Sequence, residues 1–167
     1  MSNDKFVELE RYDKRATSLL AKDASIDWGD GSEEVELPLR KPYIAYESLL
    51  HFYISPSSFV LELGSGTGSF TGFLLRSGAT VYATDIAPNA LKMLSKRYQE
   101  TGRLVTQVAD MECLPFENEK FDIVTSAGSL SYGDNIMVMN EIFRVLKPGG
   151  VFVCVDSLNH NPIYRFN

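Results

Sequence analysis

This chain has little of what marks a secreted, membrane or metal-binding protein. Only two of its 167 residues are cysteine and only two are histidine. Cys113 and Cys154 are far apart and in no metal-ligand spacing, and Cys154 lies in an apolar run where a buried reduced thiol is expected. No apolar run approaches membrane-spanning length, and residues 1–5 do not resemble a signal peptide. These absences predict a cytoplasmic protein without a metal site.

Positive charge is also scarce. Sixteen Lys and Arg are set against 22 Asp and Glu, so the formal net charge is −6. Because an acidic surface repels phosphate backbones and anionic lipid, neither a nucleic acid nor a membrane is expected as a partner. The composition is otherwise ordinary, with 44% hydrophobic and 23% charged residues, and the length suits one domain with its own core.

The clearest positive signal is a glycine loop. A short apolar run that contains Glu62 is followed by glycine at every second position, at Gly64, Gly66 and Gly68, and apolar residues then return at helical spacing. Glycine is used where φ must be positive or where a ligand approaches bare backbone, and a helix N-terminus attracts a carboxylate or phosphate. The loop, with Ser65, is therefore predicted to cradle a nucleotide-type ligand between a strand and a helix.

Apolar periodicity predicts alternating strands and helices along the rest of the chain. The predicted strands are 59–63, 80–84, 103–109, 121–126 and 151–156, and the helices between them are 68–77, 88–99 and 134–146. Upstream, helices are predicted over 5–22 and about 42–53, with a loop over 23–39. This alternation is typical of an α/β fold with a doubly wound, mostly parallel sheet and helices on both faces.

Ligands in such open sheets bind beyond the carboxyl ends of the strands, so the residues that end each strand are informative. The second strand ends at Asp85, before Ile86, and an acid there can accept hydrogen bonds from both ribose hydroxyls. The alternative is that Asp85 caps the helix that begins at Pro88. A nicotinamide enzyme could place an acid at the same point. The third strand ends at Asp110 and Met111, for which a turn and the core are the alternatives.

Together these segments resemble the class I S-adenosylmethionine-dependent methyltransferase family. The spacing Gly-x-Gly-x-Gly, with Glu62 two residues before the first glycine, resembles that family's first motif, whereas the dinucleotide fingerprint is Gly-x-Gly-x-x-Gly. Residues 108–116, 121–124 and 145–150 resemble its later motifs, so the resemblance covers about residues 42–156. It implies a Rossmann-like methyltransferase fold, S-adenosylmethionine as the cofactor, and methyl transfer to O, N or C of a small molecule.

The resemblance also implies roles for individual residues. Asp110 would accept a hydrogen bond from the adenine amine, with Ile86 and Met111 against the faces of the ring. The small residues Ala127 and Gly128 would let backbone carbonyls meet the methionine ammonium. The expected cofactor-binding set is Glu62, Gly64, Ser65, Gly66, Gly68, Asp85, Ile86, Asp110, Met111, Ala127 and Gly128.

Other candidates concern the acceptor and the cover of the site. His160 is a candidate catalytic base, with an exposed or capping role as the alternative. Arg40 is the cation placed to reach a methionine carboxylate. Residues 1–41, with Tyr12 and Asp13, are expected to form an N-terminal helix and a lid-like segment before a cofactor-binding domain at 42–167. The acceptor mouth is expected at Ser129, Ser131 and Tyr132. Tyr46 lies in the region that the family uses to cover the cofactor, where Tyr12 and Tyr43 suit core or helix-face positions, and His51 suits a core or surface position.

Family members usually continue past the fifth strand into a sixth helix and an antiparallel strand pair, for which residues 157–167 leave no room. The fold is therefore expected to lack that pair, and the fifth strand to form an apolar sheet edge. Either the cofactor domain is incomplete at the C-terminus, or the edge is covered, for example in a homodimer. Two other functions remain open at this stage. They are a cofactor-binding domain without turnover and, against the glycine spacing, a nicotinamide-dependent oxidoreductase.

Overall fold

The computed structural model describes residues 7, 9–11, 13–14, 16–18, 31, 35–36 and 40–156. The strands are β1 (Phe59–Leu63), β2 (Thr80–Asp85), β3 (Leu104–Val108), β4 (Phe121–Ala127) and β5 (Leu146–Val155). The helices with assigned bounds are α1 (Arg40–Tyr53), α2 (Thr71–Arg76), α3 (Pro88–Tyr98) and α4 (Asn135–Val145). One short 3-10 turn, Gln99–Thr101, follows α3, and another, Leu130–Tyr132, follows β4. The described residues between 7 and 18 are helical.

The five strands form one parallel sheet in the order β3-β2-β1-β4-β5. The chain runs outward from β1 to β3 and then returns across β1 to β4 and β5. The direction of winding therefore changes between β1 and β4, and a crevice forms beyond the carboxyl ends of these two strands. This topology confirms the predicted doubly wound α/β sheet with a Rossmann-like methyltransferase fold.

The core lies in two layers, one on each face of the sheet. On one face Tyr46 and Leu50 of α1 pack with Leu74 and Leu75 of α2. On the other face the buried side of α4 packs with residues of β1 and β4, among them Leu61, Phe121 and Val124. Because strand side chains alternate in direction, each central strand serves both layers. Cores on both faces hold the strand ends, and hence the crevice, in fixed positions.

β5 begins earlier than the sequence indicated. Pairing runs from Phe121 opposite Leu146 to Ile123 opposite Val151, so two steps on β4 match five on β5. The extra residues form an irregularity that contains Gly149 at φ +80°. Pro148 and the glycines thus make the turn that their chemistry predicts, but inside a strand that starts at Leu146 rather than after the helix stop.

β5 forms one edge of the sheet, as predicted, and no strand follows it among the described residues. The expectation that Cys154 is buried was wrong, because its side chain is exposed. Val153 is buried against α1 and its neighbours, but Cys154 points to the opposite side of the strand. An edge strand has a neighbour on one flank only, so a residue near its end keeps access to solvent. In the described residues no helix is long and apolar enough to cross a bilayer.

Candidate functional site

The glycine loop follows β1 directly and turns back over the ends of β1 and β2. Gly64, Gly66 and Gly68 have φ values of +63°, +53° and +96°, in the left-handed region that side chains with a Cβ rarely adopt. The backbone N–H of Ser65 donates to the carbonyl of Thr84 at 2.9 Å, and that of Gly68 donates to the carbonyl of Ser65 at 2.9 Å. The loop is therefore fixed both to itself and to the end of β2.

The three glycines are needed for different reasons. A Cβ at Gly64 would collide with Ser129, and a Cβ at Gly68 would collide with Leu94 of α3. At Gly66, by contrast, a Cβ would meet nothing within 4 Å. Gly64 and Gly68 therefore permit close packing within the protein. Gly66 instead keeps bare backbone beside open space, where a ligand can approach.

Asp85, at the end of β2, bridges the loop and the start of α3. Its two carboxylate oxygens accept hydrogen bonds at 2.8 Å, one from the N–H of Gly66 and the other from the N–H of Ala87. Burial raises the pKa of Asp85, while these backbone donors act in the opposite direction. The helix-cap alternative does not describe this geometry, because the N-cap position of α3 is Ala87. Each oxygen retains a lone pair for a further donor.

Loop and strand ends enclose a pocket of about 640 Å³, counted with the solvent space at its mouth. Seven of the eleven predicted cofactor residues line it: Gly64, Gly66, Asp85, Ile86, Met111, Ala127 and Gly128. The remaining lining residues are Leu9, Thr84, Ala109, Ser129 and Tyr132. The structure thus brings together, at the switch point of the sheet, residues from the ends of β1, β2, β3 and β4.

Four predicted cofactor residues do not line the pocket. Ser65 is buried, and its Oγ donates to the carbonyl of Thr84 at 3.3 Å. Gly68 lies against α3, as described above. Asp110 stands between the lining residues Ala109 and Met111, where its Oδ1 accepts from the N–H of Glu112 at 3.0 Å. The fourth is Glu62, which lies beneath the loop.

Glu62 is a buried carboxyl group inside the sheet. Only 4% of the residue is exposed, and its Oε2 accepts a hydrogen bond from the hydroxyl of Thr71 at 2.5 Å. Burial raises the pKa of Glu62 to about 8, and the negative charge of Asp85 adds to this, while the Thr71 bond lowers it. At neutral pH the carboxyl group is therefore mostly protonated. A cation bound above the loop would favour its ionised form.

Replacing Glu62 by glutamine is expected to change how stability depends on pH. The folded state holds a proton on Glu62 up to about pH 8, whereas the unfolded chain releases it near the ordinary pKa of 4.5. Glu62 therefore makes the free energy of unfolding fall as pH rises through this window, by up to about 1.4 kcal/mol per pH unit. Glu62→Gln lacks this contribution, so its stability relative to wild type should increase from pH 5 to pH 9. Urea unfolding of ligand-free protein measures both curves; parallel curves would contradict the prediction.

The turn after β4 forms the wall opposite Asp85. Ser129 is buried, and its Oγ lies 2.7 Å from that of Ser126 and donates to the carbonyl of Leu63 at 3.1 Å. Asp156, just after β5, accepts from the N–H of Leu130 at 2.6 Å. These bonds tie the turn to both β1 and β5. Tyr132 lines the pocket as expected for the acceptor mouth, whereas Ser131 is exposed and does not.

The remaining candidates that the structure describes do not line the pocket. Arg40 donates from Nε and Nη2 to the carbonyl of Val35, both at 3.2 Å. Tyr43 stacks on Phe70 with ring centroids 5.4 Å apart, and Tyr46 is buried with its hydroxyl 2.5 Å from that of Thr125. His51 is on the surface of α1, and Tyr12 and His160 lie outside the described residues. Within the described residues no group of three or more His, Cys, Asp or Glu could hold a metal ion.

Sequence reasoning missed three residues that line the pocket. Thr84 and Ala109 are neighbours in sequence of predicted residues, so the rule that strand ends form the site could have included them. Leu9 comes from the N-terminal helix. Its apolar periodicity indicated only that the helix packs on something, because no local pattern identifies a surface that is distant in sequence.

Comparison with known proteins identifies the family. The model of the family described as "Methyltransferase domain" matches residues 61–154, more than half of the chain. The match spans the glycine loop and all strand ends that line the pocket. The chain belongs to the class I S-adenosylmethionine-dependent methyltransferase family.

Two curated relatives and one solved structure illustrate the range of similarity. The chain is 34% identical over 118 residues to sterol 4-C-methyltransferase strm-1 of Caenorhabditis elegans, covering 68% of this chain and 35% of that protein. It is 38% identical over 112 residues to the ubiquinone/menaquinone biosynthesis C-methyltransferase UbiE of Desulfotalea psychrophila, covering 64% and 45%. The structure of geranyl diphosphate methyltransferase in complex with S-adenosylmethionine shares the fold, with a TM-score of 0.61, 23% identity and coverage of 67% and 48%. The chain thus spans less than half the length of the two curated relatives.

Proposed function

We propose that this protein is an enzyme that binds S-adenosylmethionine in the described pocket and transfers its methyl group to a small molecule. The observation that carries the proposal is Gly66, the one loop glycine whose missing side chain opens onto the pocket rather than onto protein. It stands beside Asp85, the half-buried acid at the end of β2. Bare backbone next to an acid is what a nucleoside needs in order to lie close to the loop and have its ribose hydroxyls bound.

In this proposal each wall of the pocket holds one part of the cofactor. Asp85 accepts hydrogen bonds from the ribose, for which its oxygens have lone pairs to spare. Ile86 and Met111 contact the adenine ring, and Asp110 accepts from its amine. The backbone at Ala127 and Gly128 and the glycine loop surround the methionine portion, with Glu62 ionised beneath them once a cation is bound above. Residues 1–41 serve as the lid-like segment and 42–167 as the cofactor domain.

When bound, the cofactor supplies a sulfonium methyl group that is open to in-line attack. The residues of this chain contribute orientation and environment, as is usual when a cofactor carries the reactive group. The ends of β1 and β4 would hold the methionine portion of the cofactor, and the side chains of Met111 and Tyr132, which line the pocket, would limit water there. A base is needed only where the acceptor must lose a proton early, and His160 remains the predicted candidate for that role.

The small-molecule acceptor is supported by three observations. The net charge of −6 disfavours a nucleic acid. The pocket lining is largely apolar, with Leu9, Ile86, Ala109 and Met111 among its members. The relatives named above are described as methyltransferases of a sterol and in the biosynthesis of ubiquinone and menaquinone. A cytoplasmic location, expected from the low cysteine content and the composition, belongs to the same proposal.

Transfer of a labelled methyl group tests the proposal. The full chain is incubated with S-adenosylmethionine labelled on the methyl group and with a cell extract separated into small molecules, nucleic acids and proteins. We expect label in the small-molecule fraction, and none with Gly66→Val protein. Label confined to nucleic acid or protein would contradict the acceptor class. Cofactor binding without transfer to any fraction would support a domain without turnover.

We further propose that the β5 edge is covered by a second copy of the chain. Among the described residues β5 has one strand neighbour, and the two helices packed against it carry exposed aromatic side chains, Phe52 on α1 at 79% exposure and Phe143 on α4 at 83%. An uncovered apolar edge is a ready template for pairing with another strand.

Sedimentation at increasing concentration should therefore show a monomer–dimer equilibrium. Cys154→Lys places a charge on an exposed position of β5 and is expected to shift the protein to the monomer. The matched control is Val105→Lys on β3, the opposite edge, where Val105 is 42% exposed. This control should associate like wild type. A wild-type monomer at every concentration would contradict the dimer.

A further inference from the structure

Helix α3 begins beside the pocket without a capping side chain of its own. Its N-cap residue is Ala87, which makes no side-chain cap hydrogen bond, and Pro88 follows at the first helical position. The first N–H groups of a helix have no partner within the helix and need an acceptor from elsewhere. Asp85 accepts from Ala87, but Asn89, the second residue of the helix, requires a second acceptor.

That acceptor is Asp13, 76 residues earlier in the chain. Asp13 Oδ1 accepts from the backbone N–H of Asn89 at 3.0 Å, and its Oδ2 accepts from the side-chain Nδ2 of Asn89 at 2.8 Å. Thr17 joins the contact, because its Oγ1 accepts from the same Nδ2 at 3.2 Å. A carboxylate at a helix N-terminus also interacts favourably with the helix dipole. Asp13 thus caps α3 from the N-terminal helix.

The same face of the N-terminal helix reaches the pocket. Leu9, Asp13 and Ala16 are spaced by four and three residues and so share one helix face. Ala16 has no exposed surface and packs with Ala87 and Ala90 at the start of α3. Leu9, one turn before Asp13, lines the pocket. Small residues at the contact and the Asp13 bonds together hold Leu9 in the pocket wall.

We propose that Asp13 is a positioning residue that holds the N-terminal helix over the occupied pocket and so slows release of the cofactor. The inference rests on the proposed function, since it concerns the same pocket. Asp13 does not touch the pocket itself; it acts through α3 on one side and Leu9 on the other. A ligand beneath Leu9 can leave once this contact opens, so the strength of the Asp13–Asn89 bonds sets how often the pocket opens.

The dissociation rate of S-adenosylhomocysteine, the demethylated product, tests this role. Stopped-flow displacement with the full chain should give a rate about 5- to 30-fold faster in Asp13→Ala than in wild type, the size expected for loss of a helix cap and a charge-assisted hydrogen bond. Asp13→Asn keeps an oxygen for the backbone N–H of Asn89 and should recover most of the wild-type rate. Asn89→Ala loses only the side-chain bonds and should lie between.

Glu10→Ala is the matched control. Glu10 is on the same helix, and removing it changes the net charge by the same amount. Glu10 pairs with Lys14 at 3.4 Å, and the two side chains are 52% and 78% exposed, so the contact with α3 is untouched. Dissociation from this variant should stay within about twofold of wild type, because exposed ion pairs contribute little.

Thermal unfolding of each variant separates positioning from stability. The role of Asp13 is supported if Asp13→Ala or Asn89→Ala releases S-adenosylhomocysteine faster than wild type while its melting temperature stays close to that of Glu10→Ala. If Asp13→Ala is unfolded, Asn89→Ala and Asp13→Asn decide by the same comparison. Wild-type dissociation rates in all folded variants would overturn the inference while leaving the proposed function intact. Failure of the wild-type chain to bind either adenosyl ligand would overturn both.

Discussion

Replacing Gly66 by valine is expected to abolish cofactor binding while leaving most of the protein folded. Gly66 has φ +53°, and no protein atom lies within 4 Å of where its Cβ would be. The Cβ of a valine therefore meets no protein atom, but its methyl groups would occupy the space that the ligand needs. The left-handed backbone adds strain of order 1–3 kcal/mol. Affinity for S-adenosylhomocysteine should fall by at least about 100-fold, equivalent to about 2.7 kcal/mol.

Gly102→Val provides a matched control for the backbone strain. Gly102 has φ +64° and also has no atom within 4 Å of its Cβ position. It lies after α3 and is not among the residues that line the pocket. Thermal unfolding should show similar losses of stability for the two variants, and calorimetric titration should show wild-type affinity for Gly102→Val alone. Normal binding by folded Gly66→Val protein would place the ligand elsewhere.

The second large effect is expected at Asp85. Its carboxylate holds the N–H groups of Gly66 and Ala87 and is proposed to hold the ribose. Asp85→Asn keeps the shape but replaces one acceptor oxygen by a donor, and it should cost about 1.5–3 kcal/mol of cofactor affinity. Asp85→Ala should cost at least as much, because it also leaves the loop unsupported. Titration calorimetry measures the cofactor affinity of both variants. In both, Asp13 still accepts a hydrogen bond from the backbone N–H of Asn89 and so continues to cap the start of α3.

Asp134→Ala is the control for the loss of an aspartate that binds two backbone N–H groups. Asp134 caps α4 by accepting from Ile136 and Met137, and it does not line the pocket. This variant should lose about 1 kcal/mol of stability, as usual for a helix cap, and none of its affinity. If Asp85→Ala behaved in the same way, with reduced stability and unchanged affinity, Asp85 would be structural and the ribose role wrong.

The strands were predictable from the sequence because buried parallel strands are short apolar runs between turn residues. β1 was predicted with its observed bounds, and β2 to β4 to within one residue at either end. β5 was predicted to begin five residues too late and to end one residue too late, because pairing with β4 is not visible in local chemistry and Pro148 with two glycines looks like a boundary. Cys154 was placed wrongly for a related reason: an apolar run predicts burial, but exposure depends on what lies beside the strand.

The site was predictable to the extent that it follows from topology. The carboxyl ends of parallel strands meet at one edge, which brings Asp85, Met111 and Ala127 together although they are distant in sequence. Contacts between elements outside that rule were not predictable. Capping of α3 by Asp13, for example, depends on where the N-terminal helix docks. Which glycine faces open space rather than protein was equally hidden, because Gly64, Gly66 and Gly68 look alike in the sequence.

Titration calorimetry on the wild-type chain with three ligands tests the central claim most directly. S-adenosylmethionine and S-adenosylhomocysteine should each bind saturably at one site per chain, and NAD should give no saturable signal. This prediction rests on the bare backbone at Gly66, which lies beside the carboxylate of Asp85. Saturable binding of NAD, with no response to either adenosyl ligand, would contradict the account.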